Sequence, residues 1–292
     1  MSLGLRPPVV QDKKELEDLT NKTSSQNGGG GEYELSLPDG VDNAIEQDEE
    51  WCEVVIDGER RRIRFHDYDE IFALPGLYEQ IFYDALHCTS PTQIRGMLGA
   101  ALEAEGLDPR DLRVLDIGAG NGMVAEQLAE LGAQALVGVD ILEEAAEAAK
   151  RDRPGLYEAY HAVDLTSLSW LTRRRLSSFN ANCLTCVAAL GFGDMPPAAF
   201  AHAYNLVEAP GWLAFTIKED FLHDTHPSGF SILVQKMIEE DLIDVRVQEV
   251  YRHRRSVNGK PLHYTAIIAR KRADVPAEWI DSPELEGSGA AA

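Results

Sequence analysis

The feature that most constrains the fold is a glycine-rich turn between two apolar runs. The first run and its turn occupy residues 114–122, with the sequence VLDIGAGNG, and the second run, at residues 135–140, ends on an acid. An amphipathic segment separates them. A strand that turns at once into a helix and then into a second strand is the βαβ unit of nucleotide-binding α/β proteins. The turn is therefore expected to bind a nucleotide-like ligand.

The spacing of the glycines narrows the choice of ligand. Gly118, Gly120 and Gly122 alternate along the turn, whereas a dinucleotide fingerprint needs its third glycine where this chain has Met123. The glycines provide a permissive backbone and a bare surface against which a ligand can lie. Asp140 ends the second run, where an acid can accept hydrogen bonds from both hydroxyls of a ribose. A pyrophosphate-containing ligand is therefore expected to fit poorly.

Residues 116–122, together with Asp140, resemble the cofactor-binding signature of the class I S-adenosylmethionine-dependent methyltransferases. The resemblance covers residues 112–272. It implies S-adenosylmethionine as the cofactor and an α/β, Rossmann-like three-layer sandwich, whose mostly parallel seven-stranded sheet ends in an antiparallel hairpin. The cofactor-binding residues that it implies are Asp116, Gly118, Ala119, Gly120, Asn121, Gly122, Asp140, Ile141, Val163, Asp164, Leu165 and Ala188.

The alternation of apolar strands and amphipathic helices favours the same fold. It is the pattern that buries a parallel sheet between two helical layers. Asn258-Gly259 is a strong hairpin signal between the last two strands. A terminal antiparallel hairpin is typical of the class I methyltransferase sheet, whereas a dinucleotide-binding domain would continue with a parallel sixth strand. The predicted strands lie near residues 113–117, 135–140, 158–163, 181–188, 211–217, 243–252 and 262–271.

Two more loops at the carboxyl edge of the sheet complete the predicted cofactor site. Asp164 follows the third strand, and the resemblance implies that it accepts a hydrogen bond from the adenine amino group between apolar neighbours; alone, such an acid is often a helix N-cap. Ala188 ends the fourth strand, where the methionine arm and the acceptor are expected to meet. DNA amino-methyltransferases place Asn or Asp before Pro-Pro and an aromatic after it. Here Met195 precedes Pro196-Pro197 and an alanine follows, which argues against DNA.

The acceptor side of the site carries weaker signals. Tyr78 and Tyr83 belong to an aromatic segment whose class I counterpart often folds over the cofactor mouth, so the resemblance implies that they could line the site; simple helix packing is the alternative. Lys218, Glu219 and His226 follow the fifth strand, in a loop dense in titratable groups. This loop is a candidate substrate loop, and a charged surface loop that caps the next helix is an equal alternative. No catalytic base is assigned.

The chain is expected to divide into four parts. Residues 1–50 are acidic, rich in Gly, Ser, Asn and Gln, and lack apolar periodicity, so they are expected to be a disordered acidic tail that could also recruit a partner or cover the site. Residues 51–92 are expected to form a hairpin and an aromatic helical lid. Residues 93–272 are the predicted methyltransferase domain, and residues 273–292 a flexible C-terminal tail.

Composition limits the partners. The formal net charge of −22 at pH 7 opposes nucleic acid, because binding to phosphates draws on clustered Lys and Arg. Cys183 and Cys186 have the spacing of a metal-ligand pair, but they lie in a predicted strand, where residues three apart point to opposite faces. The histidines form no helical ligand pair, so no metal is expected, and the 4 cysteines are few enough to suit a reducing compartment. No apolar signal core follows Met1 and no uninterrupted apolar run reaches the length of a membrane span. We therefore expect a cytoplasmic protein without a membrane partner.

These observations predict an enzyme that transfers the methyl group of S-adenosylmethionine to a small-molecule acceptor, mainly by proximity and orientation. Three alternatives stay open. A protein side-chain methyltransferase is one, because an acidic surface suits a basic substrate. A non-catalytic S-adenosylmethionine-binding regulatory protein is the second, and a nicotinamide-dependent dehydrogenase is the third.

Overall fold

The computed structural model describes residues 32–38, 45–190, 194–218 and 229–282. At its centre is a seven-stranded sheet with the order β6-β5-β4-β7-β8-β10-β9. The five strands from β4 to β8 are parallel, and β10 is antiparallel to both β8 and β9. This confirms the predicted mostly parallel sheet with a terminal antiparallel hairpin. The strands are β4 (Arg113–Ile117), β5 (Ala135–Asp140), β6 (Ala159–Ala162), β7 (Cys183–Leu190), β8 (Trp212–Lys218), β9 (Ile243–Arg255) and β10 (Pro261–Lys271).

Helices cover both faces of the sheet, since its central strands are apolar on both sides. In β7, residues three apart point to opposite faces, so Cys183 packs in one hydrophobic cluster and Cys186 in the other. Both cysteines are buried free thiols, as their position in an apolar strand predicts. The helices are α3 (Ser90–Ala104), α4 (Met123–Leu131), α5 (Glu143–Asp152), α6 (Trp170–Ser178), α7 (Pro197–Tyr204), α8 (Phe230–Glu239) and α9 (Ala277–Ile280).

A second, smaller unit precedes the large sheet. Its antiparallel sheet has the order β1-β2-β3 and packs with two short helical segments around a separate apolar cluster. β2 and β3 form the hairpin predicted within residues 51–92, with Asp57-Gly58 at the turn. We call residues 45–88 the N-terminal cap. The elements of this unit are β1 (Leu35–Ser36), β2 (Trp51–Ile56), β3 (Glu59–Arg64), α1 (Tyr68–Ala73) and α2 (Leu77–Glu79), which continues as π-helical turns over Gln80–Ala85.

A buried ion pair joins the N-terminal cap to the end of the large sheet. The Glu50 carboxylate lies 2.6 Å from the Arg254 guanidinium of β9, with side chains 1% and 4% exposed. The other Glu50 oxygen accepts a hydrogen bond from the backbone N–H of Val257 at 2.8 Å. Buried charges are retained only when they are paired and hydrogen-bonded. The pair therefore holds the cap against the β9–β10 hairpin.

Ordered structure extends into both stretches that the sequence predicts as tails. At the N-terminal end, Leu35 pairs with Val54, and Glu50 is fully buried, so structure begins before residue 51. At the C-terminal end, Val275 and Ile280 are buried in the core, since α9 packs against the main domain. Apolar side chains within otherwise polar segments account for the difference. The remainder of both predicted tails, residues 1–31, 39–44 and 283–292, lies outside the described residues.

Candidate functional site

The glycine-rich loop joins β4 to α4 in a backbone conformation that side chains disfavour. Gly118 and Gly120 have φ angles of 60° and 52°, in the left-handed region. A Cβ atom added to Gly118 would lie 2.5 Å from the Cβ of Ala189, and one added to Gly120 would lie 3.1 Å from the ring of Phe72. The glycines therefore allow the loop to approach both the end of β7 and the N-terminal cap.

Asp140 lies at the carboxyl end of β5 and braces this loop. One carboxylate oxygen accepts a hydrogen bond from the Gly120 N–H at 3.0 Å, and the other accepts one from the Leu142 N–H at 3.1 Å. Burial raises the pKa of Asp140, and the two N–H groups oppose that rise. Each oxygen retains a lone pair for a further donor. The two carboxylate oxygens are therefore placed to accept hydrogen bonds from the two hydroxyls of a ribose.

Asp116 lies beneath the loop rather than in the cavity wall. Its carboxylate is 1% exposed and accepts hydrogen bonds from Tyr157 at 2.8 Å and Thr185 at 2.5 Å. Burial raises its pKa to about 6, while these two hydroxyl groups lower it. Gly122 also lies outside the cavity walls; it precedes α4 with a φ of 92°. Both residues shape the loop from behind.

The larger cavity, which we call the donor cavity, follows the carboxyl ends of four neighbouring strands. Its volume is about 270 Å³. Ile141 lines this cavity, and 62% of the surface of Ile141 is exposed. Its apolar side chain can therefore pack against a flat ring. The predicted cofactor-binding residues that line this cavity are Gly118, Asp140, Ile141, Val163, Asp164, Leu165 and Ala188. A binding cleft at the carboxyl edge is the position expected for an open parallel sheet.

Asp164 forms a tight polar turn at the wall of the donor cavity. Its carboxylate accepts hydrogen bonds from the N–H and hydroxyl of Thr166, both at 2.7 Å, and from Ser167 at 3.1 Å. The Thr166 hydrogen bonds lower its pKa. The N-cap of α6 is Ser169, so Asp164 is not the cap of that helix.

A second, narrower cavity meets the donor cavity at Gly118 and Ala188. We call it the hairpin cavity, because it extends from the glycine-rich loop to His253 and Tyr264 of the β9–β10 hairpin. Its volume is about 70 Å³. Ala188 lies at the junction with a φ of 57°, an unusual value for a side chain with a Cβ. The predicted residues Ala119, Gly120 and Asn121 line this second cavity.

The predicted substrate residues take different positions. Tyr78 lines both cavities, and Tyr83 lines the hairpin cavity. Lys218 ends β8 opposite Tyr264, but it is not among the residues lining either cavity. Glu219 and His226 lie outside the described residues.

Several wall residues give no sequence signal, because they come from distant parts of the chain. Phe72 of α1 covers Gly120, and its carbonyl accepts a hydrogen bond from Arg151 at 3.0 Å. His66 and Asp194 line both cavities, with 3.2 Å between His66 Nδ1 and an Asp194 carboxylate oxygen. The N-terminal cap and the segment after β7 bring these residues together.

The described part of the chain contains no cluster of three or more His, Cys, Asp or Glu side chains that could hold a metal ion. None of the helices described there combines the length and apolar character needed to cross a membrane.

Comparisons with known proteins agree with this geometry. A family profile described as a methyltransferase domain matches residues 92–263, more than half of the chain. Comparison with the curated proteins gave no match.

Three solved structures are similar to part of this chain. Magnesium protoporphyrin IX methyltransferase from Synechocystis PCC 6803, with bound S-adenosylmethionine, is 18% identical, covering 62% of this chain and 79% of its own, with a TM-score of 0.43. A protein from Thermoplasma acidophilum is 15% identical, covering 71% and 97%, with a TM-score of 0.46. A ribosomal protein L11 methylase from Lactobacillus delbrueckii subsp. bulgaricus is 17% identical, covering 62% and 78%, with a TM-score of 0.41.

The family match covers the whole glycine-rich loop, Asp140 and Asp164, and the sheet is mostly parallel and seven-stranded with the terminal antiparallel hairpin expected of the class I fold. The chain therefore belongs to this methyltransferase domain family, as a class I S-adenosylmethionine-dependent methyltransferase.

Proposed function

We propose that the protein methylates a small-molecule acceptor that enters the hairpin cavity. The observation that carries the proposal is the size and position of this cavity. Its volume is about 70 Å³, and it opens onto the donor cavity between Gly118 and Ala188. An acceptor of modest size would meet the donor there.

The cofactor is proposed to lie across both cavities. Asp140 would bind the ribose, and Ile141, Val163 and Leu165 would enclose the adenine beside the Asp164 turn. The methionine arm would follow the loop from Gly118, Ala119 and Gly120 to Asn121. Asp116 and Gly122 are proposed to support the loop without touching the ligand, because neither lines a cavity.

The chain's own contribution to the reaction is mainly positioning. When bound, S-adenosylmethionine supplies an already activated methyl group. Holding an acceptor in line with that group accounts for on the order of 7–11 kcal/mol of the barrier. Phe72 and Tyr78 stack with ring centroids 5.0 Å apart and both line the donor cavity, so the cap would limit the access of water to it. Residues 51–92 are accordingly proposed as a lid on the methyltransferase domain of residues 93–272.

His66 and Asp194 are proposed as the proton-accepting pair for an acceptor that must lose a proton. The carboxylate lies 3.2 Å from His66 Nδ1, an arrangement that fixes the orientation of the imidazole ring. Both residues line the two cavities, so the pair lies where donor and acceptor would meet.

A labelled-methyl transfer assay tests the proposed function. The purified protein and S-adenosylmethionine labelled on the methyl group are incubated with a cell lysate that is then split into metabolite and protein fractions. We expect enzyme-dependent label in the metabolite fraction, and Asp140→Asn provides the control. Label confined to protein would overturn the small-molecule acceptor in favour of a protein substrate, for which the net charge of −22 suits a basic partner. Binding of the cofactor without transfer to either fraction would instead indicate a regulatory protein. A cytoplasmic location stays a prediction.

A further inference from the structure

The far end of the hairpin cavity contains polar atoms that the cofactor residues do not explain. Gln47 and His253 line this end, and only 8% and 6% of their respective surfaces are exposed. Gln47 belongs to a single 3₁₀ turn of the cap, whereas His253 belongs to β9. Two elements far apart in the chain thus bring polar side chains to one wall.

Gln47 presents a buried hydrogen-bond acceptor. Its amide nitrogen donates to the Tyr264 hydroxyl at 2.9 Å, which fixes the side chain. Its carbonyl oxygen, Oε1, has no hydrogen-bond partner within the described residues. A buried polar atom without a partner is costly, and such atoms in native proteins commonly mark a ligand or an ordered water.

His253 presents a second polar atom at the wall of the same cavity. Its Nδ1 lies 2.7 Å from the Ser90 hydroxyl, and its ring stacks on Tyr264 with centroids 4.1 Å apart. Across the described ranges, no hydrogen bond reaches Nε2. Burial lowers the pKa of His253 well below its usual value, and the charge of the adjacent Arg254 adds to this effect, so the ring is neutral. A neutral imidazole offers either a lone pair or an N–H at Nε2.

This end of the cavity is aromatic and carries no uncompensated charge in the described structure. Tyr83 and Tyr264 contribute aromatic walls, and the guanidinium of Arg254 is matched by the carboxylate of Glu50 at 2.6 Å. A carboxylate ligand would place its own acceptor oxygens against Gln47 Oε1. No unpaired cation at this end of the described cavity would offset its charge. A neutral ring with a hydroxyl or amino group would instead stack on the aromatic walls and donate to Oε1.

We propose that the Gln47–His253 wall is the recognition site for the acceptor, and that the acceptor is a neutral aromatic molecule bearing a hydroxyl or amino group. This proposal rests on the proposed function, since it names the acceptor class for the same site.

Fragment binding to the protein saturated with S-adenosylhomocysteine tests the wall, with phenol as the probe and toluene as its matched apolar control. We expect phenol to bind at least about tenfold more tightly than toluene, because only phenol satisfies the buried acceptor. Equal affinities for phenol and toluene would overturn the proposal, and this measurement needs no variant.

Two variants locate the effect. Gln47→Met keeps the size of the side chain and His253→Phe keeps the ring stack on Tyr264, so each removes polarity from the wall. We expect each to remove the preference for phenol and to leave the affinity for S-adenosylhomocysteine within about twofold. A fall of about tenfold or more in that affinity, with methylthioadenosine binding unchanged, would assign the wall to the amino-acid end of the cofactor and overturn the proposal.

The outcomes separate this inference from the proposed function. A phenol preference combined with transferred label found only in protein would support a polar ring-binding wall but overturn both the small-molecule function and the assignment of that wall to its acceptor. Label in the metabolite fraction without a phenol preference would overturn the acceptor class and leave the small-molecule function intact.

Discussion

The donor cavity and the hairpin cavity share the wall at Gly118 and Ala188, yet they are built differently. The donor cavity is formed largely by successive loops at the ends of β4, β5, β6 and β7, each contributing residues close to its own strand. The hairpin cavity gathers side chains from the cap, the glycine-rich loop and the terminal hairpin, with Gln47 and Tyr264 in contact across 217 positions of sequence.

This difference separates what the fold dictates from what the individual chain adds. A parallel sheet places its βα loops at one edge whatever the rest of the chain does, so a donor site follows from the topology. The hairpin cavity exists only where the cap docks on the sheet. The donor side is therefore a property of the architecture, and the acceptor side is a property of the docking.

The largest expected effect comes from the proton-accepting pair, which lines both cavities and is proposed to act on the acceptor. His66→Gln is expected to lower labelled-methyl transfer to metabolites by about 10²- to 10⁴-fold if the acceptor must lose a proton. The affinity for S-adenosylhomocysteine, measured by calorimetry, should change far less, because other residues are proposed to bind the ribose, the adenine and the methionine arm. Asp194→Asn is expected to cause a smaller loss of transfer, because it disturbs only the orientation of the ring. Full activity in His66→Gln would remove the pair from the mechanism.

The buried ion pair tests whether the cap docks as proposed. Glu50→Ala leaves the Arg254 guanidinium buried without its partner, so the free energy of unfolding should fall by about 3–5 kcal/mol. Denaturant titration measures the loss. Replacing both partners, as Glu50→Leu with Arg254→Met, should restore much of the stability, since the uncompensated charge is gone. A single variant as stable as the wild type would show that the pair does not anchor the cap.

Asp116 gives the donor side a pH dependence of its own. Its pKa rises from the ordinary aspartate value of 3.8 to about 6 on folding, so the folded state binds more protons between these values and stability falls as pH rises through that window. The free energy of unfolding of Asp116→Asn, minus that of the wild type, should therefore rise by about 2 kcal/mol between pH 4.5 and pH 7.5. A difference that is constant with pH would contradict the raised pKa.

Asp140 tests the donor cavity, because the ligand that it is proposed to bind is the cofactor. Asp140→Asn should weaken binding of S-adenosylhomocysteine by about 10- to 100-fold, because hydrogen bonds to a charged carboxylate are the stronger ones. Calorimetry measures this change. Asp164→Asn is the comparison variant on the same cavity, and a smaller loss is expected there because its oxygens already accept three hydrogen bonds. Equal losses would show that Asp140 has no special role.

The smallest expected effect lies at the wall that the two cavities share. Ala188 has a φ of 57°, where glycine is favoured by about 1 kcal/mol, although glycine also adds freedom to the unfolded chain. Ala188→Gly should therefore change the free energy of unfolding by less than about 1 kcal/mol. Ala189→Gly, the neighbouring control, should destabilise the protein, since Ala189 has no such backbone strain to relieve. A large loss in Ala188→Gly would mean that its methyl group packs tightly at the junction.

The donor side could be predicted from the sequence much better than the acceptor side. The approximate positions of the strands, the hairpin at Asn258-Gly259 and the position of Asp140 at a strand end are set by local patterns, and the structure confirms them. Gln47 lies in a stretch predicted as a disordered tail, because nothing near it in sequence shows that Tyr264 will be its partner. The same holds for His66 with Asp194, which are 128 positions apart. A contact between two segments that are far apart in the chain produces no periodic pattern in the sequence around either residue.

The Glu50–Arg254 contact also limits when the N-terminal cap can dock on the β9–β10 hairpin during synthesis of the chain. Its two residues are 204 positions apart, so the first partner leaves the ribosome long before the second exists. At about 5–20 residues per second, the N-terminal cap waits roughly 10–40 s for its docking surface. Through that interval its apolar cluster lacks Val257. The nascent chain therefore assembles its cofactor-binding strands first and closes the acceptor side last.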